Sequence, residues 1–504
     1  MKQRLLVAAA LVVVLAGVAA LNGSAGGAGK AKAAYPVPHP TVTDYQFIKA
    51  ATPTEADCEA VGRTCFTPQA IQSAYNLGPL YAAGNKGQGI TIAIVDSYGS
   101  DTMAHDLHVF NQAFGLQQMC GEEGVTCAPG MPTFSELAIN GSPDTKPQPG
   151  NGTHLEDKSA WALEVALDVE TSHAIAPMAN ILLVHSNNAE TLGVQGFPQM
   201  MKAEDYVVSN HLAQVISQSF ASAEDAFGGT ASLENLRYAF KNAQANGVTV
   251  LGSSGDGGVA NDRKSPVSQD GSLIPYPTVE WPASDPLVTG VGGTYLCTKP
   301  TALTNEPRTT YIKPGIGGKC GNAWNATAAA EVAWTFSGGG FSHVFARPSY
   351  QEALPVGSTP IPPSARGVPD IAFQASAGTG ALVYLSLPPD GTGSNVGQTG
   401  WYDIGGTSLS CPQWAGLVAI ADQMNGGHGL GLINPALYKL ANSADYAADF
   451  FDIGHTGDAT HPNDNGNRGV TGYPAGPGWD PVTGLGTPNA ANLLPDLVYA
   501  VNHP

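Results

Sequence analysis

Four short apolar runs, at residues 90–95, 181–185, 215–218 and 248–251, are separated by stretches of helical spacing near 103–114, 159–174, 197–210 and 232–246. This alternation constrains the chain more than any other feature. A run too short for a helix and apolar on both faces belongs in a sheet covered on both sides. Parallel neighbours need a crossover each, and the intervening helices supply it. The expectation is therefore an α/β chain with a mostly parallel central sheet and helices on both faces. Ligands of such sheets gather beyond the carboxyl ends of the strands. Asp96 ends the first run, and Ser253, Ser254, Gly255, Asp256, Gly257 and Gly258 follow the last. Thr67 and Pro68 read as the cap and first residue of a helix to about Tyr81, and residues 117–151 as a Gly/Pro-rich loop. With no repeats and no convincing linker, residues 66–504 read as one domain.

The stretch Gly405, Gly406, Thr407, Ser408, Leu409, Ser410, Cys411, Pro412 sets a serine between a glycine pair and an apolar helix over 413–425. Glycines allow a tight turn, and proline is tolerated in a first helical turn, so Ser408 is expected exposed at a helix N-terminus. There its N–H and the helix dipole favour negative charge on a bound carbonyl oxygen, as acyl transfer requires of a nucleophile's surroundings. A plain helix cap accounts for Gly-Thr-Ser equally well, so partners elsewhere must decide. Glu164 and Asp168 lie one turn apart on the 159–174 helix, among apolar residues and with no Lys or Arg opposite. Close carboxylates in such a setting share a proton, although an isolated pair at this spacing is more often a solvated face.

Three motifs in order, Glu164 through Pro177, Ser253 through Gly258 and Gly405 through Pro412, resemble those of the sedolisin family of serine-carboxyl peptidases from about Phe66 to the C-terminus. The resemblance implies a subtilisin-like fold with Ser408 as nucleophile, Glu164 as general base, Asp168 as the second carboxylate tuning it, and Asp256 as the oxyanion-hole acid. Acid conditions suit these roles: a carboxylate base stays partly ionised where histidine does not, and Asp256 must be protonated to donate. Asp256 read alone could equally be a turn residue. The resemblance further implies one calcium ion held by Asp452, Ile453, Gly476, Gly478 and Asp480, the glycines turning carbonyls inward. Asp464, Asn465 and Gly466 suggest an EF-hand loop but lack its closing Glu, and read as surface loop. It implies a large N-terminal prodomain as well, for which residues 35–65, an extended lead-in, are too few.

The activity expected is an acid-active endopeptidase acting on polypeptides. Alternatives are a tripeptidyl exopeptidase of the same family, a subtilisin-type triad of Asp96, His154 and Ser408, and an inactive secreted binding protein. His154 is followed by Leu155, Glu156, Asp157, Lys158 and Ser159 rather than a small-residue helix, and no residue of the carboxyl set is missing.

Lys2 and Arg4 precede an apolar run from Leu5 to Leu21, the pattern of a secretory signal, although the run is also near membrane-spanning length. Residues 1–34 read as signal and flexible cleavage region, and the protein as secreted, monomeric and without stable membrane association. Acids outnumber bases 41 to 22, for a net charge of −19, which disfavours nucleic acid or an anionic membrane as partner. The cysteines fall as Cys58/Cys65, Cys120/Cys127 and Cys297/Cys320, read as small-loop disulfides, and a lone Cys411, read as a buried apolar thiol.

Overall fold

The computed structural model describes residues 39–40, 44–139, 155–186, 196–263, 273–297, 331–389, 397–453 and 464–504. Residues 1–34, His154 and Cys320 lie outside them. The described chain opens with two strands, β1 (His39–Pro40) and β2 (Asp44–Lys49), and a short helix α1 (Glu55–Ala60) capped reciprocally by Thr54 and Asp57. Thr67 then accepts from the Ala70 amide and Pro68 opens α2 (Pro68–Ala74), as its sequence predicts. This helix does not reach Tyr81. Asn76 turns left-handed at φ 57°, and a second helix, α3 (Gly78–Ala82), follows. Pro79 is the reason, since in a continuous helix its ring would strike the carbonyl of Tyr75.

The alternating part follows as β3 (Thr91–Ser97), α4 (Met103–Phe114), β4 (Phe134–Ala138), α5 (Leu155–Ile175), β5 (Asn180–Ser186), α6 (Gly196–Ser209), β6 (Val215–Gln218), β7 (Phe220–Ala223), α7 (Thr230–Glu234), α8 (Tyr238–Ala245) and β8 (Thr249–Ser253). Beyond it come β9 (Glu280–Trp281), β10 (Thr289–Leu296), β11 (Glu331–Ala333), β12 (Gly340–Phe341), β13 (Gly367–Val368), β14 (Ile371–Gln374), β15 (Ala381–Leu387) and β16 (Gln398–Gly405). The C-terminal part holds α9 (Thr407–Met424), α10 (Asn434–Ala441), α11 (Tyr446–Asp449), β17 (Phe450–Phe451), β18 (Thr487–Pro488) and α12 (Ala490–Asn502).

Strands β4, β5, β3, β6, β8, β10 and β14 lie side by side in that order and run parallel, with β11 antiparallel on β10. The mostly parallel sheet predicted by the alternation is present. β4 falls in the stretch read as loop; it is an edge strand with only Phe134 buried, so it carries no continuous apolar run. Successive residues of β3 face opposite layers: Ile92 and Ile94 pack with Leu409, Leu417 and Val418 of α9, whereas Ala93 and Val95 pack with Phe197 and Val207 of α6 and Phe240 of α8. α9 is buried along its length from Thr407 to Asp422, and α5 crosses it. A helix apolar all round belongs in the interior.

Among the described residues there are also two three-stranded sheets and two two-stranded ones, β12 with β13 and β17 with β18. β2 adds to the hairpin of β15 and β16, Asp44 standing opposite Gly405, and β7 lies between β1 and β9. Cys58–Cys65 and Cys120–Cys127 are bonded; Cys297 is also in a disulfide, its expected partner Cys320 lying outside the described residues. No helix of the described residues is long and apolar enough to cross a membrane.

Candidate active site

β16 runs straight into α9 through Gly406, whose φ of 128° is a conformation that side-chain-bearing residues rarely adopt. Its amide donates to the Ala375 carbonyl at 2.5 Å, so the turn is tight, and Ser408 becomes the second helical residue. Pro412 lies in the second turn rather than the first and has no N–H for the Ser408 carbonyl. Ser408 is not exposed, as its sequence context predicts, but fully buried.

Cys411 lies one turn on from Ser408, on the same face. Its Sγ is 3.4 Å from Ser217 Oγ and 3.7 Å from the Gln218 carbonyl. Burial first, and then the negative charge of Asp168 and Glu164, push the thiol up to about 12. Cys411 is thus the buried free thiol expected, and burial favours its protonated form. α5, which carries Glu164 and Asp168, packs against α9, and the charges of both acids reach the Cys411 thiol.

Both acids are fully buried. Asp168 Oδ1 accepts from Ser219 Oγ at 2.9 Å, just beyond the end of β6. Burial, then the charges of Asp96 and Glu164, raise the Asp168 carboxyl well above the usual range. Asp96 is thus a third acid of the cluster, which the sequence suggested only as part of a histidine triad. Burial pushes it up to about 8, and neither oxygen has a hydrogen-bond partner among the described residues. One signal was available: Asp96 ends a strand at the carboxyl edge of the sheet, where ligand chemistry collects. Three acids this close in a dry site share protons.

Asp256 comes from the turn after β8. Gly255 before it has φ 105°, and a Cβ there would run into the Glu280 carboxylate. Asp256 Oδ1 accepts from the Thr407 amide at 2.7 Å and from Thr407 Oγ1 at 2.9 Å, while Thr407 Oγ1 accepts from the Gly255 amide at 3.1 Å. Asp256 is therefore fastened to the residue preceding Ser408. With two donors on Oδ1, a proton carried by this carboxyl sits on Oδ2. Asp256 also lines a cleft of about 550 Å³ with Asp44, Arg63, Tyr295, Trp334 and Phe336. Arg63 grips Asp44 through both terminal guanidinium nitrogens, at 2.9 and 2.8 Å. A nucleophile, a carboxylate cluster and a carboxyl donor arranged in this way can serve acyl transfer without histidine.

The five residues expected at a cation are gathered near the C-terminus. Asp452 follows β17; its Oδ2 accepts from the Gly478 amide at 2.8 Å, and its Oδ1 has no partner among the described residues. Asp480 is fully buried, with Oδ1 accepting from the Val482 and Thr483 amides at 2.8 and 2.9 Å and Oδ2 from Thr483 Oγ1 at 2.8 Å. Burial pushes Asp480 up to about 7 and raises Asp452, and both charges are felt by the Tyr446 hydroxyl. A buried acid and a half-buried one with one orphaned oxygen fit a hard cation, but among the described residues no group of three or more His, Cys, Asp or Glu side chains is placed for one. Carbonyls of Ile453, Gly476 and Gly478 would have to complete it.

The family model for the subtilase family matches residues 87–436. Kumamolisin of Bacillus sp. (strain MN-32) is 31% identical over 446 residues, covering 88% of this chain and 66% of that protein. Sedolisin of Pseudomonas sp. (strain 101) is 32% identical over 351 residues, 68% of this chain and 50% of that protein. Human tripeptidyl-peptidase 1 is 32% identical over 354 residues, 67% and 52%. Among solved structures, Pseudomonas sedolisin, a serine-carboxyl proteinase complexed with two molecules of pseudo-iodotyrostatin, superposes with a TM-score of 0.59 at 26% identity, covering 86% of this chain and 98% of that one. The chain thus spans between half and two-thirds of the length of these three curated relatives.

Proposed function

The chain belongs to the subtilase family, within its sedolisin branch, and on that premise we propose that it is a secreted serine-carboxyl endopeptidase active in acid. Ser408 Oγ attacks the substrate carbonyl while Glu164 takes its proton and Asp168 holds Glu164 in a shared-proton cluster. Charge developing on the carbonyl oxygen is met by the α9 N-terminus and by a proton on Asp256. The leaving amine takes the serine's proton, and water then cleaves the ester. The observation that carries this reading is that Asp168 is fully buried, with the carboxylates of Asp96 and Glu164 beside it, so that burial first and then their charges raise it well above its ordinary range. A base of this kind is useful only where it remains partly ionised, and a carboxyl donor only where it remains protonated.

The test is hydrolysis of an unfolded protein across pH by the wild type, Glu164→Gln, Ser408→Ala and His154→Ala. We expect an acid optimum, lost in the first two variants and kept in the third, and products that include long internal fragments. A neutral optimum abolished by His154→Ala would establish the triad instead, and a ladder of tripeptides would establish exopeptidase action.

One calcium ion is proposed at Asp452 and Asp480, with carbonyls of Ile453, Gly476 and Gly478. It would supply structural charge compensation for buried Asp480 and half-buried Asp452, and takes no part in the chemistry above. Calcium at about a hundred times its dissociation constant would add ~2.7 kcal/mol of stability. Thermal unfolding with calcium and with a chelator should differ in the wild type and coincide in Asp480→Asn. Coincidence in the wild type would remove the ion from this account.

A further inference from the structure

The turn that carries Asp256 is gripped by two segments besides Thr407. Residues 336–338 form one: the Gly338 amide donates to the Gly255 carbonyl at 2.8 Å, and the Gly258 amide donates to the Phe336 carbonyl at 2.9 Å. Residues 465–467 form the other: the Val259 amide donates to the Asn465 carbonyl at 3.1 Å, and Asn467 Nδ2 donates to the Gly257 carbonyl at 3.2 Å. Neither grip has slack. A Cβ at Gly338 would strike the Ser254 carbonyl, and one at Gly258 would strike the Asn465 carbonyl. The peptides on both sides of Asp256 are therefore held from outside the turn.

Asn465 ties the two grips to each other. It is the middle of a stretch that the sequence presents as surface loop, yet it is fully buried. Its Nδ2 lies 3.2, 3.3 and 3.3 Å from the carbonyls of Ser337, Gly339 and Pro481, and its Oδ1 accepts from the Tyr473 amide at 2.9 Å. Its side-chain bonds thus all go to main chain. Carbonyls from two separate stretches converge on one amide, whose two hydrogens are what keeps these buried acceptors paired. Ser337 adds a second tie, its Oγ donating to the Val482 carbonyl at 2.7 Å and accepting from the Gly293 amide of β10 at 2.9 Å.

An oxyanion donor helps only when it is aimed at the place where charge develops, and a displacement of about 1 Å can cost ~10²-fold. Thr407 fixes Oδ1 of Asp256, but the direction of the whole carboxyl also depends on where its turn lies. We propose that Asn465 is a positioning residue for Asp256: it locks residues 336–339 against residues 465–473, and together they hold the turn so that the free side of the Asp256 carboxyl faces a carbonyl bound at Ser408. This rests on the peptidase reading above and extends it to a side chain that touches neither the substrate nor the reacting atoms.

The experiment is a double-mutant cycle on the full chain, with kcat and KM measured in acid on a fluorogenic peptide and the folded fraction taken from urea unfolding. Per folded molecule, Asn465→Ala should lower kcat by ~10- to 10²-fold and change KM much less. Asn465→Asp keeps the volume and, protonated in acid, one donor; it should recover part of the loss, and it carries the test if the alanine variant does not fold. In the Asp256→Ala background either substitution should cost roughly twofold at most, because no donor remains to be aimed. The same fold-loss in both backgrounds, or an unchanged kcat per folded molecule, would overturn the inference while leaving the peptidase reading in place. No hydrolysis by the wild type would overturn both.

Discussion

A carboxyl group donates a hydrogen bond only while it keeps its proton, and this gives Asp256 a distinctive signature. Its Oδ1 already accepts twice from Thr407. Asparagine can place its carbonyl there and present its NH2 where the proton of the acid would be. Asp256→Asn should therefore keep measurable activity and move the alkaline limb of the kcat/KM profile upward, because its donor no longer titrates. Asp256→Ala should lose ~10²–10³ in kcat, as removal of one oxyanion donor does. An alkaline limb unmoved by Asp256→Asn would show that another group sets it. At this scale the sequence could nominate Ser408, Glu164, Asp168 and Asp256 as candidates, each lying in a short motif whose spacing has chemical meaning. It could not nominate Asp96 for the cluster, because what makes it part of the cluster is α5 crossing the end of β3.

Between elements, the site depends on how closely α5 and α9 cross. A Cβ at Gly416 would lie 2.7 Å from Ile175 Cβ and 3.1 Å from the Ser172 carbonyl, so the crossing has no room for a side chain. Gly416→Val would separate the two helices, at an overpacking cost of ~1–3 kcal/mol. Gly416 lies two turns from Ser408, yet a shift of about 1 Å between the proposed nucleophile and base can cost ~10²-fold. We expect kcat/KM to fall by that order in protein that remains folded, read together with the urea midpoint. Activity falling only with the folded fraction would mean that the crossing matters for stability alone. Helix boundaries were legible where caps and prolines are local; β4 was not, because an edge strand lacks the two-sided burial that gives a readable run.

For the molecule as a whole, buried acids set the pH dependence of stability. Burial pushes Asp96 and Asp422 up to about 8 and raises Glu170, Glu204 and Asp403 well above the usual range. In the unfolded chain such groups titrate near ~4. Between those limits the folded state holds protons that the unfolded state has released, so stability falls as pH rises. The net charge of −19 at pH 7 adds repulsion in the same direction. Asp57, held down at about 2 chiefly by Lys49, works the other way, but only at pH below its ordinary range. Thermal unfolding should therefore give its highest midpoint in mild acid and a steady decline toward pH 8. A midpoint that rises toward neutrality would mean that these acids are ionised and compensated inside the fold.

The sequence by itself determined what is periodic or local: a parallel sheet between helices, a serine at the mouth of a glycine turn, two acids one turn apart, and the disulfide loops. Each follows from backbone geometry within a few residues. Only the tertiary structure decided that Asp96 joins Asp168, that Ser408 is buried rather than exposed, and that residues 39–40 pair with β7 while residues 44–49 pair with β16. Those outcomes depend on surfaces far apart in the chain meeting at close range. Burial and proton affinity are properties of the assembled neighbourhood, which no single stretch of residues carries.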